Sequence, residues 1–384
     1  MRGSFRIGKI AGIEIGVHYT WIFALILFTW IFSQDTFPAY SPGWAVQTYW
    51  IAGTIVSLAL FASVLIHELC HSLVAIKLGM KVSSIVFFIF GGVSNIESEP
   101  GSAKAEFLMA SAGPLSSVII GAIFIGTTLV LEAFTQLPAP VSLTIYYIGF
   151  INIVLAAFNI LPGFPLDGGR VLRSIIWGIS KNLHKATMIA GNVGRLFGWA
   201  IILLGIALAF GRDIWIFQGD LFNGIWLVFI GWFLTSAADA TMRGQSMQQQ
   251  LAGVKVKDVM DRAPECTSPA ASVASVVHES FISRGRRSLP VCNDQGLIGI
   301  VTLADVKRLK QDLWENTPVQ QIMTRSPLLT VDQEEDLNKA LQVLATNGLN
   351  QIPVMGNAQF VGLLSRADVI RYLQTRQELG LKSG

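Results

Sequence analysis

Charge is what this sequence has least of. Only 14% of its 384 residues are Asp, Glu, Lys or Arg, against 52% hydrophobic. Soluble globular chains carry about a quarter charged residues, so a membrane protein is the default reading. The shortage is uneven: residues 17–240 hold long apolar runs, whereas residues 253–384 read as an ordinary soluble domain. A net charge of +3, with no basic patch interleaved with aromatics, gives no reason to expect a nucleic-acid partner. Cysteine is scarce too. Cys70, Cys266 and Cys292 are odd in number and lack paired spacing, which argues against a disulfide framework and fits a reducing compartment. The first twenty residues, MRGSFRIGKIAGIEIGVHYT, have basic residues but no apolar stretch with a small-residue cleavage site, so the first hydrophobic segment is expected to be retained.

A spanning helix needs about 20 mostly apolar residues. Six stretches qualify: 17–34, 48–78, 105–133, 141–161, 187–210 and 221–241. Lys and Arg orient them. Arg2, Arg6 and Lys9 precede the first; Lys77, Lys81 and Lys104 follow the second; Arg170, Arg173, Lys181 and Lys185 follow the fourth. The alternate loops have almost none, which puts both termini in the cytoplasm and the chain in the cytoplasmic membrane. Trp21, Trp30, Trp44 and Trp50 lie near span ends, as in an interfacial belt, although Trp also fills cores. Two short segments read as β instead: 5–17, alternating with Gly breaks, and 82–96, VSSIVFFIFGGVSNI. Open strand edges cannot face lipid, so the second hairpin must lie on protein or line a watery cavity. Its unpaired edge is a template for an extended peptide.

Ionisable groups inside a span are costly unless paired or functional. The second span nevertheless contains His67, Glu68 and His71 in LIHELCHSLV. On a helix, residues four apart share a face, so the two imidazoles can hold one cation. H-E-x-x-H is the zinc-hydrolase pattern, with Glu as general base; a chance match or a polar patch between helices is the plainer alternative. Zinc needs a third ligand, and Asp167 in NILPGFPLDGGRVLRS is the best candidate. Pro162 and Pro165 break the fourth span just before it, and Gly168 and Gly169 allow a tight turn. Asp167 could equally cap a helix beginning at 168–170. Asn159 could orient a substrate carbonyl or stabilise an oxyanion, or merely bond backbone freed near Pro162. Glu132 and Asp239 are the other intramembrane acids.

His67-Glu68-Leu69-Cys70-His71, followed by Asn159-x-x-Pro162-x-x-x-Leu166-Asp167-Gly168, resembles the site-2 protease family of intramembrane zinc metalloproteases. The small-residue element SAGPLSS (111–117) and the 82–96 hairpin are also similar to that family, and the resemblance covers residues 5–240 or so. It implies a polytopic α-helical membrane domain with a short β element. It further implies one Zn2+ per chain on His67, His71 and Asp167, Glu68 as general base, and a helical membrane protein as substrate in regulated intramembrane proteolysis; Asn159 falls within the matched motif. Cys70 occupies a variable position of the motif and has no expected role as a ligand.

Residues 253–384 repeat at an offset of 63. Val256-Lys-Asp-Val-Met260 aligns with Val319-Gln-Gln-Ile-Met323, and SLPVCNDQGLIGIVTLADV (288–306) with QIPVMGNAQFVGLLSRADV (351–369). An offset held over several landmarks marks a repeat. It resembles a tandem pair of cystathionine-β-synthase (CBS) domains, a soluble α/β module, with copies at about 253–310 and 316–379. The resemblance implies an adenine nucleotide held by Thr302 and Asp305 and by Ser365 and Asp368, and a homodimer formed through the module. The same four residues could simply cap helices. The expected organisation is thus a membrane zinc metalloprotease domain at 1–243, a polar linker at 244–252 around Met247–Gln250, and the CBS pair. A CBS-regulated membrane transporter or channel is the alternative; it would need ion-pathway residues spread over several spans, whereas the polar groups converge on one constellation. An inactive receptor-like relative would not keep His67, Glu68, His71 and Asp167 together.

Overall fold

A computed structural model of the chain describes residues 4–89, 91–96, 99–214, 219–294, 296–357 and 359–380. They form two compact units, residues 1–245 and 246–384.

Among the described residues of the first unit, six helices are long and apolar enough to cross a membrane: α1 (Trp21–Tyr40), α2 (Val46–Lys77), α3 (Ala103–Phe134), α4 (Ala139–Asn159), α6 (Leu183–Ala209) and α7 (Leu221–Gln250). A shorter amphipathic helix, α5 (Asp167–Ser180), lies between α4 and α6. Some bounds differ from those expected: α1 starts and ends later, and α7 carries on through Met247–Gln250, so the polar stretch read as linker is helical. Its Gln and Met residues are good helix formers and extend the helix once the apolar run has ended.

A four-stranded sheet accompanies the bundle, in the order β1 (Ser4–Ile10), β2 (Ile13–His18), β3 (Val82–Phe88), β4 (Gly91–Ile96). The two hairpins join through a parallel β2–β3 ladder, with Ile15 opposite Ile85. Alternate side chains point one way along a strand. Here Ile13, Ile15, Ile85 and Phe87 are buried against Val64, Leu65 and Leu69 of α2. The N-terminal hairpin therefore satisfies one edge of the 82–96 hairpin, and β4 is the outer strand beside α2.

Where α3 crosses α4, Gly121 and Gly149 face each other. A Cβ on Gly121 would lie 3.0 Å from the Gly149 carbonyl, and one on Gly149 would lie 2.9 Å from the Ile125 backbone nitrogen. Small residues let helices approach closely where lipid supplies no hydrophobic drive between them. Acids inside the bundle are paired: Asp239 with Arg195 at 3.2 Å, Glu132 with the Ser142 hydroxyl, and Glu106 with Arg173.

Among the described residues, the second unit contains two three-stranded sheets. One has β5 (Ser288–Asn293), β6 (Gly296–Thr302) and β7 (Thr324–Arg325); the other has β8 (Val331–Asp332), β9 (Gln351–Gly356) and β10 (Gln359–Ser365). Symmetry-equivalent residues meet, since the Ser288 hydroxyl donates to Gln351, 63 positions on. The cores cross the boundaries of the sequence repeat. Val254 and Val256 pack with Val331, Leu344 and Leu364 of the second copy, while Val319 packs with Val276, Val291 and Val301 of the first. Each copy's opening segment thus completes the other's core. Lys255 and Lys257 reach across the same join to Glu334, both at 2.7 Å, and these hydrogen bonds hold its carboxyl down at about 2.

Cys266 and Cys292 lie side by side, with Cα atoms 5.7 Å apart, a pairing that the sparse spacing of the cysteines did not suggest. Their sequence separation of 26 hid this. The Thr267–Val291 bridge lays residue 266 alongside β5, which only the fold could reveal.

Gly149→Val should wedge α4 from α3. A loss of about 1–3 kcal/mol is expected for such overpacking, read as a lower melting temperature of the detergent-solubilised protein; an unchanged melt would contradict the close crossing.

Candidate metal centre and nucleotide cleft

His67 and His71 lie on one face of α2, both 4% exposed. Asp167 is the first residue of α5 and reaches them from a separate element. Its Oδ2 is 3.0 Å from each Nε2, and the two Nε2 atoms are 3.1 Å apart. Asp167 follows the N-cap Leu166, so it is not itself the cap. Gly168 and Gly169 are helical rather than a turn, contrary to the reading of them as turn residues. They are small because loop backbone packs on them: a Cβ on Gly168 would lie 2.2 Å from the Ile160 carbonyl, and one on Gly169 would lie 2.4 Å from Phe164 nitrogen.

The ring orientations are set from α3. The Met109 carbonyl is 2.7 Å from His71 Nδ1, and a carbonyl only accepts, so Nδ1 donates and in the neutral ring Nε2 keeps its lone pair. Ser117 Oγ is 3.0 Å from His67 Nδ1 and can accept from it likewise. With both rings neutral and protonated at Nδ1, two lone-pair nitrogens and a carboxylate oxygen converge to about 3 Å as three electron-pair donors. A cation answers that arrangement. Tetrahedral zinc with bonds near 2.0–2.1 Å has ligand–ligand edges of about 3.3 Å, close to the triangle seen. The two nitrogens and one oxygen are also zinc donors. The residues therefore fit the metal.

Gly113 of SAGPLSS makes room for this. A Cβ there would lie 2.2 Å from His71 Nε2 and 2.6 Å from His67 Nε2. A second tie holds α5 in place: the Arg173 guanidinium bonds Glu106 of α3 with both Nε and Nη2 and lies over the Phe164 ring at 5.3 Å. Both charges are buried, and removing one partner of such a pair costs about 3–5 kcal/mol. Glu68 turns toward β4, where the Ser94 hydroxyl donates to its Oε2 at 2.6 Å. Asn159 ends α4 and donates to the Leu155 carbonyl of its own helix. No bond links it to the three converging residues among the described contacts. Ser117 lies in SAGPLSS and Ser94 in the 82–96 hairpin, but nothing within those stretches marks either serine, and the Met109 carbonyl is invisible in sequence. Glu106 and Arg173 could have been suspected as lone opposite charges.

The sequence model described as "Peptidase family M50" matches residues 55–139 and 133–204. A Synechocystis sp. protein named as a zinc metalloprotease, sll0528, is 34% identical over 98% of this chain and 97% of its own length. The chain belongs to peptidase family M50. Rip3 of Mycobacterium tuberculosis, also named as a zinc metalloprotease, is 32% identical over 97% of this chain and 93% of that protein. The site-2 protease structure from Methanocaldococcus jannaschii matches at 29% identity and a TM-score of 0.42, covering 62% of this chain and 95% of that one. The CBS domain model matches residues 256–312 and 319–375. A crystal structure of CBSX2 in complex with AMP, 27% identical with a TM-score of 0.29, covers 33% of this chain and 99% of its own. This M50 chain is accordingly a multi-pass membrane zinc metalloprotease with a CBS pair.

In the CBS module of this M50 chain, Thr302 and Asp305 form a capping box at the start of a short helix, and Ser365 and Asp368 form another at the start of α8 (Arg366–Glu378). The helix-cap alternative is therefore present in both copies. The copies differ in their surroundings. Ser365 and Asp368 line a cavity of about 910 Å3, together with Arg284, Arg286, Arg287 and Arg371. Thr302 and Asp305 do not line it.

Gly113→Ala should leave the helices intact by circular dichroism yet cut zinc content of the purified protein by at least about tenfold, as disturbed supporting contacts do. Full zinc retention would show that the histidines have room to spare.

Proposed function

We propose that His67, His71 and Asp167 hold the zinc ion and that Glu68 moves the protons of peptide hydrolysis in a transmembrane helical substrate. The convergence of two lone-pair nitrogens and a carboxylate within about 3 Å, inside an apolar bundle, carries this reading. A zinc ion bound there supplies Lewis acidity, making water a nucleophile near neutral pH and polarising the scissile carbonyl. Met109 and Ser117 hold the imidazoles in the metal-binding tautomer, which second partners of ligating histidines ordinarily do. Glu68 takes a proton from the attacking water and returns it to the leaving amine. Asn159, bonded to its own helix here, would need to release Leu155 before it could touch a substrate carbonyl.

A helical substrate hides its carbonyls in its own hydrogen bonds, so it must unwind before cleavage. The outer edge of β4, which lies beside Glu68, can pair with the unwound segment, and strand addition supplies the backbone bonds the substrate gave up. The Lys and Arg distribution favours the cytoplasmic membrane with both termini inside, and water entering from the Lys77–Lys81 end of α2.

The CBS pair modulates this activity by binding an adenine nucleotide in the Ser365–Asp368 cleft. Five arginines line this cleft, Arg284, Arg286 and Arg371 being paired to Glu265, Asp261 and Asp368, and with the α8 N-terminus they favour phosphate there. The Thr302–Asp305 box serves as a helix cap.

Glu68→Gln should abolish cleavage of a labelled single-span peptide while zinc content stays at one per chain. Asp167→Ala should lose the zinc. Cleavage by Glu68→Gln, or full zinc in Asp167→Ala, would refute the respective assignments. Calorimetric titration of the full chain with AMP and with ATP should show binding that Asp368→Ala weakens at least about tenfold and Asp305→Ala leaves unchanged; the reverse pattern would move the site to the first copy.

A further inference from the structure

Glu68 is hydrogen-bonded to the outer strand of the sheet rather than to any part of its own helix. The Ser94 hydroxyl, on β4, lies 2.6 Å from Glu68 Oε2, and the Ser72 hydroxyl, on α2, lies 3.2 Å from Ser94 Oγ. The direction of this chain is fixed by chemistry. The Ser94 hydroxyl donates a hydrogen bond to the Glu68 carboxyl oxygen, and the Ser94 oxygen accepts one from the Ser72 hydroxyl. Ser72 is fully buried, one position past His71, so the relay is anchored in the helix that carries the histidines. The strand also comes close for a steric reason: a Cβ at Gly92 would lie 2.8 Å from Glu68 Cγ, and only glycine admits the carboxylate's stem there.

We propose that Ser94 is a positioning residue: it holds one oxygen of Glu68, leaves the other to take the proton, and ties the base to the strand that receives the substrate. The proposal rests on the reading of Glu68 as the proton carrier. A free glutamate has three side-chain torsions and loses rotamer freedom only when something holds it. The hydrogen bond from Ser94 is the hold, and Ser72 keeps the Ser94 hydroxyl turned toward the carboxylate. Because Ser94 belongs to β4, a substrate strand paired on the outer edge of β4 and the base that serves it share one rigid element. Docking and proton transfer are thereby kept in register, as precise placement of reacting groups requires.

The test is steady-state cleavage of a fluorophore-labelled single-span peptide, with a helix-breaking proline at its centre, in detergent micelles. Ser94→Ala should lower kcat about tenfold with KM and zinc content unchanged, a loss typical of removing such a supporting contact. Ser94→Thr, which restores a hydroxyl on a strand-compatible residue, should recover most of the rate. Ser72→Ala should show a smaller fall in kcat. The proposal is overturned if Ser94→Ala turns over within twofold of wild type, if KM rises while kcat holds (a strand that merely docks substrate), or if Ser94→Thr is as slow as Ser94→Ala. Glu68→Gln, run alongside, separates the two readings. Cleavage by that variant removes Glu68 as the base, whereas its inactivity beside a wild-type Ser94→Ala removes only the role of Ser94.

Discussion

Two imidazole nitrogens and one carboxylate oxygen sit about 3 Å from one another inside an apolar helical bundle, and much of the membrane unit is arranged around that crowding. Each of the three groups is expensive to bury alone. Together, with the rings neutral, they form a set of electron-pair donors, since the Met109 carbonyl holds a His71 proton on the far nitrogen. The surroundings force the donors inward. Gly113 lets α3 lie against both rings, and the Arg173–Glu106 pair clamps α5, which carries Asp167, to the same α3. One helix thus orients both histidines and anchors the third donor.

The second constraint is the backbone. Strands at membrane depth must have their polar edges satisfied by protein or water. The N-terminal hairpin covers one side of the 82–96 hairpin through the β2–β3 ladder, and α2 covers the apolar face of the sheet. One edge, that of β4, is left beside Glu68. Glu68, proposed above as the proton carrier, and a strand edge open to an extended peptide are therefore neighbours.

The CBS module shows how a repeat can be regular in sequence and unequal in structure. The 63-residue offset brings Ser288 against Gln351 and gives both copies the same capping box. Yet the opening segment of each copy is built into the core of the other, so neither copy is a self-contained domain. Five arginines line the cavity at the second box: Arg284, Arg286 and Arg287 from the first copy, Arg366 and Arg371 from the second. The asymmetry arises because residues outside the repeated motif decide what stands opposite each cap.

Local chemistry was legible in the sequence. Hydropathy marks the spans because about 20 apolar residues are needed to cross a bilayer. Helical periodicity puts His67 and His71 on one face, and the spacing of 63 marks the repeat. Those signals depend on neighbours along the chain. What the tertiary structure decided depends on neighbours across it. Ser117, Met109 and Ser94 lie 50, 38 and 26 residues from the groups they hold. The Cys266–Cys292 pair needed β5 to lie beside Thr267, and Gly168 and Gly169 prove to be contact residues rather than turn residues. A serine, a carbonyl or a glycine acquires such a role only from what packs against it, and packing between distant segments leaves no periodic trace in a single sequence.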